Sequence, residues 1–451
     1  MNVDQIAQQA KAQGVRMVRF LFCDNGGVIR GKASSVDGLA GRLRAGIGLT
    51  PALQLMSLYD NVCRREDLGL FREGDLRMIP DPSTYRPLPY APESASVFCD
   101  LHTLGGGPWA ACPRSFLKRQ IDRAADKGIR FCATFENEWT AVRRTGETYV
   151  AAGEHGYGSS IAMHDQEPIL LEIMAALEAQ GMRPGVCHPE HSPGQQELVI
   201  APADALLCAD NQLLFRETVR AIYRRHGLLA SFAPMPFAGA ATNGAHLHIS
   251  LWDAERGRSL TYDPTDPCGA SRLAYQFIGG VLRHLPALTA IACPTPNSYS
   301  RLKASPWAKA GNWYGYDSRR APVRVASAYL GRESESANVE VRIPDPSCNP
   351  YLTLGAIIAA GMDGIAHETD PGAPLAVDAT ALPPEELERM GIRPLPTAMP
   401  AALYALAADD VIRGALGELL YETFVTVKRG EEAVSREHDF ATEQKHHIYR
   451  F

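Results

Sequence analysis

Residues 134–139 read Thr134-Phe135-Glu136-Asn137-Glu138-Trp139, and this alternation of carboxylates with large apolar groups dictates how the chain must fold. Side chains alternate across an extended strand, so Glu136 and Glu138 share one face while Phe135 and Trp139 take the other. Two further segments repeat the device. Ala245-His246-Leu247-His248-Ile249-Ser250 pairs His246 with His248, and Val339-Glu340-Val341-Arg342-Ile343 pairs Glu340 with Arg342. One such pair alone is more often the solvated face of a sheet. Three in one chain read as strands that turn polar faces into a shared cavity and apolar faces into a core.

Around these strands, at 130–142, 246–252 and 339–343, the punctuation predicts helices. Pro113 opens one that closes by Gly128, Asp165–Gln180 ends at Gly181, Asp204–His226 ends at Gly227, and Asn349-Pro350 supplies a cap and a first-turn proline. Toward the amino terminus, Asp4–Gln13 reads as a short amphipathic helix. Val15–Phe22 is a β-rich run that turns at Asp24-Asn25-Gly26-Gly27 and resumes at Val28, which predicts a hairpin. Prolines 80, 82, 87, 89 and 92, followed by Gly105-Gly106-Gly107-Pro108, form the strongest break in the chain. Helices and strands intermix beyond it without strict alternation, so the chain reads as α+β: a small β-rich domain over 1–108, then a catalytic domain over 109–451.

Composition narrows the function. The 451 residues are 45% hydrophobic and 21% charged, which excludes a disordered, collagen-like or coiled-coil chain. With 45 Lys+Arg against 51 Asp+Glu, the net charge of -6 provides no basic field for nucleic acid or an anionic membrane, so the expected partner is a small molecule. The 10 cysteines include no Cys-x-x-Cys pair and read as free thiols of a reducing compartment. The amino terminus has no secretory pattern, and the most apolar stretch, Tyr351–Met362, is too short to span a bilayer. The expected location is cytoplasmic.

A fourth segment, His188-Pro189-Glu190-His191-Ser192-Pro193-Gly194-Gln195-Gln196-Glu197, sets two carboxylates on either side of a Pro-Gly turn. Alone it would read as an exposed acidic turn. Together with the strands it brings Glu136, Glu138, Glu190, Glu197, Glu340 and the imidazole of His246 to one place. So many like charges would protonate unless cations held them, and oxygen ligands with one nitrogen suit Mg²⁺ or Mn²⁺ better than zinc. Arg301, Arg319, Arg324 and Arg342 add guanidinium forks suited to phosphate and carboxylate oxygens, although any one of them alone would read as a solvated surface residue. Divalent cations with arginines describe a phosphoryl-transfer site. Other nucleotide signals fail: Gly26–Lys32 approaches a phosphate-binding loop but is followed by Ala33 rather than a hydroxyl, and Gly46-Ile47-Gly48 lacks the third glycine of a dinucleotide fingerprint.

At Glu136-Asn137-Glu138, His188–Glu197, Asn243–Ser250, Asn297-Ser298-Tyr299-Ser300-Arg301 and Asn338–Tyr351, the chain resembles the glutamine synthetase family. The resemblance runs from the amino-terminal hairpin to the end of the chain. It implies a small β-grasp amino-terminal domain followed by a catalytic domain with a curved antiparallel sheet and helices. It also implies a homo-oligomer of stacked, dodecamer-like rings in which each active site lies between neighbouring subunits. Glu138, Glu190 and Glu197 then match the ligands of one metal, and Glu136, His246 and Glu340 those of a second. Arg301 and Arg342 match groups holding the glutamate carboxylate and the transferring phosphate, and Arg319 and Arg324 match phosphate-side arginines. Ser250 and His248 fall beside the nucleotide, and Asn243 and Gly244 among the substrate-binding residues.

The departures from the family pattern are concentrated on the amine side. Gly46–Tyr59 carries no acid where the family captures ammonium, and Trp307 replaces the glutamate that closes over the ammonium pocket. Asp75 still matches a second acid there. Ser336-Ala337-Asn338 replaces a basic pair before the metal-ligand position, Ala241-Thr242 replaces part of a glutamate-contacting loop, and Thr380 stands at the regulatory tyrosine, so control by adenylylation is not expected. The resemblance therefore implies an ATP-dependent ligase that activates the γ-carboxylate of glutamate as a γ-glutamyl phosphate and passes it to a small organic amine, as in the glutamate–amine ligase branch. The alternatives are a glutamine synthetase using ammonium, a non-catalytic relative that binds ATP or glutamate, and a metal-bound sensor.

Overall fold

The hairpin forms at the predicted turn. In the computed structural model, which describes residues 2–71, 74–154, 156–305, 308 and 311–451, β1 (Met17–Cys23) pairs antiparallel with β2 (Ile29–Ser35), Cys23 opposite Ile29. β3 (Ile47–Leu49), β4 (Leu76–Pro80), β5 (Arg86–Pro87) and β6 (Ser94–His102) complete a sheet of order β2-β1-β6-β4-β3, with β5 on β6. Its centre, β1 against β6, is parallel. Val18, Phe20 and Phe22 are buried between the more exposed Met17, Arg19 and Leu21, so one face of the hairpin packs inward.

The second sheet is built on β7 (Ile129–Thr145). β8 (Thr148–Ala151), β9 (Pro184–Pro189), β10 (Gln195–Ile200), β11 (Ala203–Asp204), β12 (Leu229–Ser231), β13 (Ala245–Asp253), β14 (Tyr314–Tyr316), β15 (Val323–Ala326) and β16 (Asn338–Val341) join it. The order is β14-β15-β16-β13-β7-β10-β9, with β8, β11 and β12 also on β7. The result is one mixed sheet with β7 at its centre. The apolar face of β7 is the core: Phe131, Phe135 and Trp139 are buried. The Trp139 ring meets Phe215, Tyr223 and Phe232 at centroid distances of 6.0, 6.3 and 6.1 Å. Asn137 shares this buried face, and its Oδ1 accepts from Gln212 Nε2 at 2.6 Å.

The helices Pro113–Ala125, Ala205–Arg225 and Pro350–Ala366 form where punctuation predicted them, the last with Asn349 accepting from the backbone of Tyr351 and Leu352. The helix expected from Asp165 begins earlier, at Ser160, and carries Pro168 inside it. The segment read as a Pro-Gly turn between two carboxylates is a full hairpin of β9 and β10, Glu197 opposite His188. Among the described residues, no helix is long and apolar enough to cross a membrane.

Buried polar contacts lock the amino-terminal sheet to the rest. Arg114, 2% exposed, donates to Asp210 (3.0 and 2.9 Å), Asp100 (3.1 Å) and Asp81 (2.9 Å). Removing one partner of a buried ionic group leaves uncompensated charge and costs about 3–5 kcal/mol. Arg114→Leu is therefore expected to lower the unfolding midpoint markedly, by roughly that free energy. Arg320→Leu, which breaks an outer pair with Asp378 at 3.2 Å, should change it by about 0–1 kcal/mol. Denaturant unfolding of both variants beside the parent checks this.

Candidate active site

Strand register assembles the site. On β13, His246 lies opposite Glu136 of β7. Glu340 of β16 lies opposite His248 on one side and Arg324 of β15 on the other. Glu197 of β10 lies opposite Glu138. Two groups of ligand atoms result, each gathered within 4.8 Å: Glu136, His246 and Glu340, and His188, Glu190 and Glu197. In the first, His246 Nδ1 is 2.9 Å from Glu136 and 3.5 Å from Glu340. In the second, His188 Nε2 is 2.9 Å from Glu190 and Nδ1 is 3.8 Å from Glu197. Glu138 stands on the strand beside the second group, with its Oε2 accepting from Gly244 N and Gln195 Nε2, both at 3.0 Å. Gly244 ties the two halves together. A Cβ there would sit 2.7 Å from His246 Nε2 and 3.0 Å from Glu138 Oε1, a space that only glycine leaves open.

This arrangement is electrostatically strained in a way a cation relieves. Burial, then the charges of Glu136, Glu138 and Glu190, push the Glu197 carboxyl up to about 10. Burial pushes Glu138 up to about 7, against the Gly244 hydrogen bond and with Glu190 adding to the rise. In the other group, burial and Arg342 push His246 down to about 4, so its imidazole is neutral and able to ligate. Burial would raise Glu136, but hydrogen bonds from His246 and His248 hold it far below the usual carboxylate range. Carboxylates that cannot all ionise alone, beside a neutral imidazole, fit hard divalent cations such as Mg²⁺ or Mn²⁺.

The cationic side is partly spent and partly open. Arg324 Nη1 donates to Glu340 at 2.8 Å, and Arg342 pairs with the other oxygen of Glu340. Among the described residues, the Nε atoms of Arg324 and Arg342 are buried without an acceptor. Arg301 is buried and donates to the carbonyls of Ile343 (2.9 Å) and Arg342 (3.3 Å), so it braces the end of β16. Arg319 is exposed in the turn before β15.

The other expected residues are placed as follows. His248 shares a 2.8 Å hydrogen bond with Asn338, and Ser250 donates to the Cys132 carbonyl while accepting from Trp252. Asn243 is fully buried and spends its amide on Ser231 and Ala233 carbonyls. Asp75 is exposed beside Arg77 at 3.7 Å, outside both carboxylate groups. Trp307 lies outside the described residues. His188 on β9 joins the second group although the sequence marks only its carboxylates; its position two residues before Glu190 is the one local signal for it. The sequence reading passed over Tyr157, which stacks on His191 with centroids 4.2 Å apart and meets His188 edge-on at 6.0 Å. No periodicity marks a lone tyrosine in a loop.

Residues 110–446 match the family described as glutamine synthetase, catalytic domain, and residues 1–109 match the glutamine synthetase N-terminal domain. Among curated proteins, the chain is 34% identical over 430 residues to gamma-glutamylpolyamine synthetase GlnA3 of Streptomyces coelicolor, covering 94% of this chain and 91% of that one. It is 34% identical over 439 residues to glutamine synthetase of Halobacterium salinarum, covering 96% and 93%. The crystal structure of a glutamine synthase homologue superposes with a TM-score of 0.86 at 31% identity, covering 97% of this chain and 99% of the other. Ligand-free GmaS superposes with a TM-score of 0.83 at 30% identity, covering 97% and 98%. Family members are ATP-dependent ligases that form carbon–nitrogen bonds. With both of its domain families matched along nearly its whole length, the chain belongs to the glutamine synthetase family.

Proposed function

We propose that the protein joins the γ-carboxylate of glutamate to the nitrogen of a small organic amine at the expense of ATP. The observation that carries this reading is the convergence of two carboxylate–histidine groups with the buried, unpartnered Nε atoms of Arg324 and Arg342. The γ-carboxylate oxygen attacks the γ-phosphorus, ADP leaves, and a γ-glutamyl phosphate forms. The amine nitrogen then attacks the acyl carbon, phosphate leaves, and the nitrogen loses a proton. Bound Mg²⁺ or Mn²⁺ would supply charge neutralisation of the phosphate oxygens and fix their alignment. Arg324 and Arg342 donate to the transferring group, and Arg301 holds the backbone from which Arg342 projects. The Tyr157–His191 stack, with His188 edge-on beside it, offers the hydrocarbon part of the amine an aromatic wall.

Three features favour an organic amine over ammonia. Gly46–Tyr59 lacks an acid, Trp307 stands where the family pattern has a glutamate, and the chain is similar to a gamma-glutamylpolyamine synthetase. The competing reading, glutamine synthesis from ammonium, is supported by relatives of equal identity bearing that name. Asp75, exposed on the amino-terminal domain, suits an acid that completes a neighbouring subunit's site in a ring of like chains.

Burying hydrocarbon yields about 0.8 kcal/mol per methylene, so an amine with three buried methylenes gains roughly fiftyfold over ammonium. Phosphate release with glutamate, ATP and Mg²⁺, measured across ammonium and a panel of alkyl, aryl and polyamines, should give the highest kcat/KM with an organic amine. A preference for ammonium would make the protein a glutamine synthetase. Trp307→Glu should restore an acid to the amine side. It is expected to narrow the ratio of organic-amine to ammonium kcat/KM by about tenfold or more, equivalent to about 1.4 kcal/mol, while leaving KM for ATP near the parent value.

A further inference from the structure

Gln195 is not part of either carboxylate group, yet its side chain reaches three elements of the site. It lies on β10 two residues before Glu197, opposite Thr140 of β7, and is 1% exposed. Its Nε2 lies 3.0 Å from Glu138 Oε2, 3.1 Å from the Thr242 carbonyl and 3.2 Å from Asn243 Oδ1, so its two hydrogens serve three acceptors with one N–H shared. Its Oε1 accepts from Ser192 N at 3.1 Å, and its backbone carbonyl accepts from Glu190 N at 2.9 Å. One primary amide therefore holds the Glu138 carboxylate, the turn that carries Glu190, and the loop that leads into Gly244 and His246.

We infer that Gln195 is the positioning residue that sets Glu138 and Glu190 at cation-binding separation, an inference that rests on the two-cation reading above. Only an amide can do this. The three groups around Nε2 are all acceptors, so a carboxylate in its place would lose every donated bond and face Glu138 with like charge, and a thioether would offer neither donor nor strong acceptor. Glu138, left without its donor, would be free to turn away from the turn that bears Glu190. Outer partners that orient metal ligands are worth about ten- to a hundredfold in metal affinity when removed.

The test is Mn²⁺ binding to the full-length protein without nucleotide, followed by electron paramagnetic resonance of the free ion, for the parent, Gln195→Met and Gln195→Glu. Circular dichroism and thermal melts of the same samples report folding. The expected result is two Mn²⁺ sites in the parent. In both variants one site should weaken about ten- to a hundredfold with the fold retained, more in Gln195→Glu than in Gln195→Met. Steady-state kinetics should show the Mg²⁺ requirement rising and kcat recovering toward the parent at high Mg²⁺, which a general structural defect would not do. If the parent binds no Mn²⁺, the two-cation reading fails. If the parent binds two ions and the folded variants bind both as tightly, the inference about Gln195 fails while that reading stands. If neither variant folds, Gln195 is a folding residue and the inference is likewise overturned.

Discussion

Like charges held together on one face of a sheet are the constraint around which this molecule is organised. Two unit charges 5 Å apart at an effective dielectric of about 20 repel by about 3 kcal/mol, and the site gathers several carboxylates at such distances. The protein holds them with register. β7, long enough to accept β13 on one side and β10 on the other, carries Glu136 and Glu138 toward His246 and Glu197 across the pairing. The same strand buries Phe131, Phe135 and Trp139 on its opposite face, so hydrophobic burial holds in place an arrangement that repulsion would open. Arg324 and Arg342 on Glu340 cap the charge at one end, and the Gly244 and Gln195 donors on Glu138 steady it at the other.

The tip of the amino-terminal hairpin packs against the segment that follows β16 and against the helix Glu418–Ser435. Asp24 and Asn25 are fully buried rather than solvated. Asn25 donates to the Gln54 carbonyl and to Thr423, both at 3.1 Å, and Asn349 donates to the carbonyls of Cys23 and Asp24 while capping its own helix. Gly27, with φ +80, passes so close to Ser347 that a Cβ would lie 2.1 Å from its carbonyl oxygen. The turn that starts the amino-terminal sheet is thereby clamped against the Pro344–Tyr351 segment that follows Arg342, so the hairpin and the end of the strand that carries Glu340 share one support.

Much of this was legible in the sequence because its physical cause is local. Alternation marked β7, β13 and β16 and their polar faces, and caps and prolines marked Pro113, Asn349 and Pro350 as helix starts. What was missed depends on partners distant in the chain. Pro189, Pro193 and Gly194 disguise β9 and β10 as a loop, and only the pairing of Glu197 with His188 shows that the His188 imidazole joins the carboxylates. The polar turn Asp24–Gly27 reads as exposed, and only the residues opposite it show that the Asp24 carboxylate and the Asn25 amide nitrogen are matched inside. The Arg272–Ala292 helix was passed over because Gly279, Gly280 and Pro286 interrupt it. The two glycines serve close packing: a Cβ on Gly280 would lie 2.2 Å from the Ala360 carbonyl oxygen.

If the two carboxylate groups hold cations as proposed, two metal sites lie on the polar face of the second sheet. Anomalous diffraction from crystals of the full chain grown with Mn²⁺ tests it most directly. Two strong peaks per chain are expected, one among Glu136, His246 and Glu340 and the other among Glu138, Glu190 and Glu197 beside His188. A single peak, or manganese bound only away from these residues, would contradict it.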